Sequence, residues 1–377
     1  MCKMPWWVQR LFWMVGSAAV LAACGGGGGG GGGGGSMGPA PNSFTVTNLV
    51  SDGSVMAAHT DSALKNPWGV AFGTEPVWVA NNHTNTLTAY DGTGATAAPL
   101  VNVPAGTRGD AAPTGLVFNG TGDFKISDTA GPAAYILVGE GGTVAAWAPS
   151  LGANAVTKYD DGAGGAIYKG LALAASGSAN RLYAADFHNN KIDVFDQNYQ
   201  KVSLPAGRFV DAALPAGFAP YNVQNIDGRL YVAYAKQDAD AEDQTCGPGL
   251  GAVDVYDADG NLLQHFANGA PLNAPWGMTL APSTFGPFGG DLLIGNFCDG
   301  AINAFDPVSG AFKGALKNPS GGTIQIPGLW GLAFGNGALN QSRDALYFAA
   351  GINDENNGVY GAIKPAGGGG TCTGYGC

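Results

Sequence analysis

Short apolar runs of about four residues recur along the chain, and polar or glycine-rich turns bound each of them. They are rich in aromatic and β-branched residues and too short for helices, so they are typical of β-strands. The runs span residues 77–80, 135–138, 182–185, 230–233, 292–295 and 346–349. No helix-length connection separates neighbouring strands. The pattern therefore predicts an all-β chain with antiparallel sheets.

A second motif precedes each run and shows that the chain is a repeat. Its clearest copies lie at residues 66–69, 275–277 and 329–331. The residues at the Trp position of the six copies are Trp68, Thr114, Lys169, Tyr221, Trp276 and Trp330. They lie about 50 residues apart, slightly above the length of a kelch repeat. Each unit also has a third strand ending in aromatic-Asp and a looser fourth. We predict a six-bladed β-propeller of four-stranded antiparallel blades over residues 43–365.

One strand stands alone before the first repeat. Residues 43–50 alternate and are rich in β-branched residues, but no earlier strand can pair with them. The last unit supplies only about three strands, which start near Trp330, Leu346 and Gly358. In a closed propeller a leading strand completes the last blade and removes its open edge. We expect the N-terminal strand to close blade 6 in this way.

The first 23 residues resemble a targeting segment. Two basic residues precede an apolar run at 11–20, which is short for a membrane-spanning helix. The following Leu-Ala-Ala-Cys at 21–24 is similar to the lipobox of bacterial lipoproteins, which implies cleavage before Cys24 and acylation of its thiol. Gly25 looks like a signal for outer-membrane sorting. The alternative is an ordinary signal peptide in which Cys24 is incidental.

Glycine dominates both ends of the predicted mature chain. Residues 24–42 contain the lipidated cysteine and a long glycine run, which predicts a flexible tether because glycine loses the most entropy on ordering. Residues 366–377 form a Gly/Cys-rich tail that we expect to be disordered.

Composition narrows the range of partners. The 64 glycines among 377 residues, with only 12% charged residues, suit short strands joined by tight turns. The net charge of −11 argues against nucleic acid and against electrostatic docking on anionic lipid. We expect a monomer held at the membrane by its N-terminal lipid, with a protein or a small molecule as ligand.

Several local sequences give the chain a family resemblance. They are residues 47–52, 66–69, 168–173, 183–189, 221–226, 295–297 and 328–331. With these, the chain resembles uncharacterised bacterial β-propeller proteins related to NHL-repeat propellers, some of which carry a PEP-CTERM sorting tail. It looks like a lipoprotein version, since it lacks that tail. Asn357 stands where the family pattern has His. The resemblance implies a fold and a location but little chemistry.

Polar residues end most of the second strands, on the face where propellers usually carry function. They are Asn81, Glu140, Asp186, Tyr234 and Asn296. Carboxylates and side-chain carbonyls that converge on one axis could hold calcium or another divalent cation. The candidate metal ligands are Asn81, Glu140, Asp186 and Asn296. The layout is similar to that of lactonase-type propellers, although the leading Glu of that family has no match here. The alternative is a water-filled polar channel.

Large rings occupy matching repeat positions on the same face. They are Trp68, Tyr221, Trp276 and Trp330. We interpret them first as packing between adjacent blades. The alternative is a stacking surface for a sugar or peptide at the channel mouth, and Tyr234 joins that candidate set.

Two histidines lie in equivalent loops of two blades. His83 and His188 fall two residues after Asn81 and Asp186. They are candidate ligand-binding residues. However, loop histidines are more often solvated than catalytic, and no recognisable nucleophile accompanies them.

Cys246 and Cys298 lie in loops after the second strands of adjacent blades, on one face. An exported chain lives in an oxidising compartment, so we predict that these cysteines form a disulfide.

The sequence favours a lipid-anchored, exported propeller that acts as a ligand- or protein-binding module at the cell envelope, and we expect it at the outer membrane. The alternative is a metal-dependent hydrolase of the lactonase type with a divalent cation in the central channel. A structural component of the envelope is a third hypothesis.

Overall fold

The computed structural model describes residues 43–366. The predicted signal peptide at 1–23, the acylated Cys24, the tether at 24–42 and the tail after Ala366 lie outside this range. Within it, no helix is both long and apolar enough to cross a membrane.

The described residues form the six blades of an all-β propeller, with strands numbered along the chain. The leading strands are β1 (Phe44–Ser51) and β2 (His59–Thr60). Blade 1 contains β3 (Pro67–Phe72), β4 (Val77–Asn81), β5 (Thr86–Tyr90) and β6 (Thr96–Asn102). Blade 2 contains β7 (Pro113–Phe118), the inserted hairpin β8 (Lys125–Ser127) and β9 (Gly131–Pro132), then β10 (Tyr135–Gly139), β11 (Thr143–Trp147) and β12 (Val156–Asp160).

The remaining blades follow the same antiparallel order. Blade 3 contains β13 (Tyr168–Ser176), β14 (Ala179–Asp186) and β15 (Lys191–Phe195). Blade 4 contains β16 (Phe218–Ile226), β17 (Arg229–Lys236), β18 (Gly251–Tyr256) and β19 (Leu262–Asn268). Blade 5 contains β20 (Pro275–Leu280), β21 (Leu292–Asn296), β22 (Ile302–Phe305) and β23 (Phe312–Ala315). Blade 6 contains β24 (Leu329–Phe334), β25 (Leu346–Ala350) and β26 (Val359–Pro365).

The first strands of the blades form a closed ring around the axis. Each contacts the first strand of the next blade, and β24 contacts β3. The glycine of the repeated motif permits this approach. A Cβ at Gly69 would lie 2.5 Å from the backbone oxygen of Thr114, and a Cβ at Gly277 would lie 2.5 Å from that of Trp330. The motif therefore marks the positions where neighbouring blades come closest.

The N-terminal strand closes the ring, which confirms the prediction. β1 pairs antiparallel with β26, from Phe44 opposite Pro365 to Ser51 opposite Val359. The short β2 then adds in parallel at the outer edge, so this sheet has five strands. Joining the two ends of the propeller in one sheet removes an exposed strand edge.

Blade 3 departs from the predicted four strands. After β15 the chain makes one bridge, from Phe195 to Lys201, and then leaves the sheet. Pro205 follows shortly, and proline cannot donate to a strand ladder. The freed segment packs Phe209 between Tyr183 and Tyr256, with ring centroids 5.7 and 5.3 Å apart. It thereby carries the next residues onto blade 4.

The core consists of one apolar cluster in each gap between neighbouring blades and a further cluster at the axis. Residues that alternate along a strand face opposite gaps, so both faces of every blade are buried. This explains why the second strands have nearly continuous apolar runs.

Candidate functional site

Aromatic rings fill the axis on the face where the first strands begin. Trp330 lies at the centre of this group: its ring stacks on Trp68 at 3.3 Å and on Phe297 at 4.1 Å between centroids. Trp276 meets both other tryptophans edge-on, at 5.9 and 5.8 Å. Tyr221 lies 5.9 Å from Trp330. We call Trp68, Phe187, Tyr221, Trp276, Trp330 and Phe297 the aromatic plug.

The plug corrects two predictions about these rings. They do not pack between adjacent blades, because rings from blades 1, 4, 5 and 6 touch one another, which is possible only near the axis. They are not an open stacking surface either, since Trp68, Tyr221, Trp276 and Trp330 are 0–4% exposed. Beyond the plug the channel encloses about 40 Å³, room for a few waters. The water-filled polar channel, the alternative to a metal site, is thus limited to this small cavity beyond the rings.

Lys169 places a positive charge on the plug. It occupies the Trp position of blade 3 and is fully buried, with its Nζ 5.4 Å from the Trp68 ring centre. The ammonium donates to Glu140 and, at 3.0 Å, to Asp243. Burial lowers the pKa of Lys169, but the charges of Glu140 and Asp243 raise it by more, so the net shift is upward. Lys169 is therefore charged at neutral pH and pairs with carboxylates from blades 2 and 4.

Glu355 adds a third carboxylate at the same place. It lies in the loop after β25 and accepts a hydrogen bond at 2.9 Å from Nδ2 of Asn66. Burial, and after it the charge of Glu140, raise the pKa of Glu355 to about 7. No lysine or arginine between residues 43 and 366 lies within ion-pair distance of it. We call Glu140, Lys169, Asp243 and Glu355 the axial cluster.

An unusual backbone holds Glu355 in position. Asn353, Asp354 and Glu355 have consecutive positive φ values of 56, 50 and 64°. The left-handed region costs an L-residue about 1–2 kcal/mol, although Asn and Asp tolerate it better. Asn66 is the link between this loop and the plug, because its Oδ1 accepts from Nε1 of Trp330 at 3.1 Å. The strained turn is thus tied to the aromatic floor below it.

The predicted metal ligands do not form one group. Asn81 donates to Thr86 and Thr88 of its own blade. Asp186 and Asn296 are also bound within their own blades. Asp186 accepts from Ile167, Asn189 and Lys191. Asn296 forms hydrogen bonds with Pro271, Asn273 and Asp299. Within residues 43–366, no hydrogen bond or ion pair joins any two of the four. Only Glu140 reaches the axial cluster, so the others brace loops.

The remaining predicted site residues are dispersed. Tyr234 is not at the mouth: β17 continues past it, and its hydroxyl bonds to Tyr256 at 2.8 Å between blades 3 and 4. His83 lies near the axial cluster, with Nε2 3.4 Å from Nδ2 of Asn66, and burial lowers its pKa. His188 contacts the carbonyl of Ala241 at 3.2 Å. The two histidines therefore do not act as a pair.

Cys246 and Cys298 form the predicted disulfide, with Cα atoms 5.5 Å apart. The bond joins the loops after β17 and β21, and Cys298 packs against the aromatic plug. It fixes the loop that carries Asp243 close to the axis.

Sequence reasoning missed Lys169, Asp243, Glu355 and Asn66 as site residues. Lys169 was visible as a charged residue at a position that holds tryptophan in three other units. The asparagine-rich run around Glu355 was a second signal, since Asn tolerates left-handed backbone.

No protein-family model matches the chain. Over 334 residues it is 33% identical to "Uncharacterized protein R648" of Acanthamoeba polyphaga mimivirus, and the match covers 86% of this chain and 81% of the viral protein. The chain belongs to the same family as this viral protein. A second mimivirus relative, "Uncharacterized protein L690", is 32% identical over 85% of this chain and 86% of its own length.

Two solved structures agree with the architecture. A protein of unknown function from Bacteroides thetaiotaomicron superimposes with a TM-score of 0.53 at 15% identity, covering 85% of this chain and 76% of its own. Virginiamycin B lyase from Staphylococcus aureus gives 0.51 at 12% identity, covering 85% of this chain and 99% of its own. At these identities the likeness supports the β-propeller fold alone.

Proposed function

We propose that this family member is a binding module whose axial cluster receives a positively charged group, such as an ammonium or guanidinium, of a small molecule or peptide. The observation that carries the proposal is Glu355. It is held over the plug by a strained backbone and by Asn66, yet no lysine or arginine in residues 43–366 lies within ion-pair distance of it, and Lys169 acts on it only through its more distant charge. A carboxylate placed in this way gains most from a cation supplied by a ligand.

The rest of the cluster supports a cationic ligand. Lys169 offsets only one of the carboxylates, so the cluster is net negative through Glu140 and Asp243 and becomes more so when Glu355 ionises. Two of the three carboxylates are accessible, since the side chains of Glu140 and Asp243 are 27 and 58% exposed. The hydroxyl of Tyr221, which donates to Gln244 at 2.5 Å, adds a polar group beside the aromatic floor. Binding is favoured over metal-dependent hydrolysis because Asn81, Asp186 and Asn296 are engaged within their own blades.

We further propose that the module is exported and held at the cell envelope, at the outer membrane, by a lipid on Cys24. The disulfide between Cys246 and Cys298 supports export, because such bonds persist in oxidising compartments. Replacing Cys24 with Ser should release the protein from the membrane fraction. A variant that stays membrane-bound would contradict the lipid anchor.

Calorimetric titration with arginine amide and with choline tests the ligand proposal. We expect saturable binding of at least one probe, and Glu355→Gln should weaken it by about tenfold, because a partly exposed charge pair is worth roughly 1.4 kcal/mol. Glu75→Gln is the matched control, since Glu75 is exposed on a distant turn. The proposal would be overturned if neither probe bound saturably, or if Glu355→Gln bound the probe as tightly as the unchanged protein does.

A further inference from the structure

A second group of ionisable residues lies on the flank of blade 4, away from the axial cluster. Asp254 is on β18, His265 is directly opposite it on β19, and Asp211 arrives on the segment that leaves blade 3. One ligand atom from each lies within 4.8 Å of the others. We call these three residues the flank triad.

Burial makes the two carboxylates of the flank triad unusual. The side chains of Asp211 and Asp254 are 5 and 3% exposed. The donors nearest to Asp254 lie at long distances. The Tyr256 hydroxyl is 3.5 Å from Oδ2, and Nδ1 of His265 is 3.6 Å from Oδ1. No lysine or arginine in the described chain pairs with either carboxylate. Two buried carboxylates so close together need a proton or a cation between them.

The repeat itself provides a control for this observation. Asp193 of blade 3 occupies the same position as Asp254, two residues before the aromatic residue that ends the third strand. Its side chain is also only 5% exposed. However, it accepts from Lys201 at 2.7 Å, Lys191 at 3.2 Å and the Tyr168 hydroxyl at 2.9 Å. In blade 3 the buried carboxylate of Asp193 is thus paired with lysines. In blade 4 the equivalent Asp254 has Asp211 and His265 as neighbours instead.

We propose that the flank triad binds a divalent transition-metal ion of the zinc type. Ligands 2.0–2.1 Å from a tetrahedral ion lie about 3.3 Å apart. The observed distances from Nδ1 of His265 to the oxygens of Asp211 and Asp254, 3.0 and 3.6 Å, bracket that value. An imidazole with two carboxylates suits zinc or manganese better than calcium or magnesium, which prefer oxygen ligands alone.

The surroundings leave room for the ion and for further ligands. The three residues line a cavity of about 310 Å³, together with Leu214, Phe266 and Asn268. The side chain of His265 is 59% exposed, so an ion can enter from solvent. Three protein ligands with open positions toward a cavity match the arrangement in which zinc retains water. The ion would also fasten the segment with Asp211 to blade 4, where blade 3 lacks its fourth strand.

The test uses the full chain, stripped with chelator and titrated with Co²⁺ as a spectroscopic probe, then with Zn²⁺. We expect one equivalent of Co²⁺ with the visible bands of a nitrogen- and oxygen-ligated ion, displaced by Zn²⁺. His265→Gln should lower the affinity about a hundredfold, and Asp254→Asn should do the same if it folds. His265 is exposed, so its variant should keep the fold.

His59→Gln is the matched control, because His59 is exposed on β2. It should bind Co²⁺ as the unchanged protein does. Three results would overturn the proposal: no saturable binding, a thiolate charge-transfer band that assigns the ion to cysteines, or an equal loss of affinity in His59→Gln.

Discussion

Glu355 at the axis and Asp254 on the flank are carboxylates in different surroundings. Both are buried or half-buried, and no lysine or arginine in the described chain lies within ion-pair distance of either. At the axis a buried lysine already pairs with Glu140 and Asp243, and aromatic rings form the floor. On the flank, Asp254 has a second carboxylate and an imidazole beside it. The axial cluster therefore suits an organic cation, which can rest against rings. The flank triad suits a metal ion, which requires several ligand atoms.

The comparison with Asp193 shows that neither arrangement is imposed by the fold. At the same strand position, blade 3 has a carboxylate paired with two lysines, and blade 4 has a carboxylate with long contacts to His265 and Tyr256 and no lysine or arginine partner. A propeller repeats its geometry, so differences in side chains between equivalent positions indicate where a blade has been adapted.

The largest expected effect comes from the floor of the axial cluster. Trp330→Ala should lower the free energy of unfolding by about 4 kcal/mol, because it removes a fully buried ring that contacts four aromatic neighbours. Urea denaturation measures the change. Val308→Ala, at a residue that is 82% exposed, should stay within about 0.5 kcal/mol. A loss below about 1 kcal/mol for Trp330→Ala would argue against a packed plug.

Removing the internal cation should have the next largest effect. Lys169→Met keeps the side-chain volume but leaves Glu140 and Asp243 without their partner. Breaking a buried ion pair costs 3–5 kcal/mol, and partial exposure of both carboxylates reduces the expected loss to about 2 kcal/mol. Lys236→Met, at an exposed residue, serves as control in the same denaturation experiment. Equal stabilities of the two variants would contradict the role assigned to Lys169.

A smaller effect is expected when blade 3 is made to resemble blade 4. Lys201→Met removes the shorter of the two lysine contacts to Asp193, and it should cost about 1 kcal/mol because Lys201 is partly exposed. Its melting temperature should not rise further with Zn²⁺ than that of the unchanged protein, since the side chains that contact Asp193 in the described chain are Lys191, Lys201 and Tyr168, with no histidine. A variant-specific rise would show that an unpaired carboxylate alone suffices for metal binding.

Stability should also depend on pH through Glu355. Burial and the charge of Glu140 raise its pKa from 4.5 to about 7 in the folded state. The folded protein therefore holds this proton more tightly than the unfolded chain does. The resulting stabilisation is present below pH 4.5 and is lost as the pH rises to about 7. Glu355→Gln should flatten that part of the stability curve. Superimposable curves for both proteins would exclude the raised pKa.

The repeat made the fold predictable, and the side chains at the axis only partly so. Each copy of the motif places a residue at an equivalent point, so six copies specify six blades, and the lone strand at 43–50 specifies the closure. The same symmetry implies that the residues at the Trp position meet. Whether they leave an open channel depends on ring rotamers, which the sequence pattern does not determine.

The two proposed sites depend on contacts between distant segments. Asp211 reaches Asp254 only because blade 3 lacks a fourth strand. Pro205 is the local sequence feature that indicates this absence. Glu355 reaches the axis through three left-handed residues, which sequence alone suggests only as a turn. Asp186 and Asn296 end second strands, as a site at the axis would require. Hydrogen bonds with nearby loop residues nevertheless engage both side chains.

Carbon-detected NMR titration of the Glu355 carboxyl, with and without arginine amide, addresses the proposed site at its decisive residue. A pKa near 7 that falls when the probe binds is expected, because a cation stabilises the ionised form. A pKa near 4.5 that the probe does not move would mean that Glu355 is an ordinary solvated loop residue, and it would contradict a cation site at the axis.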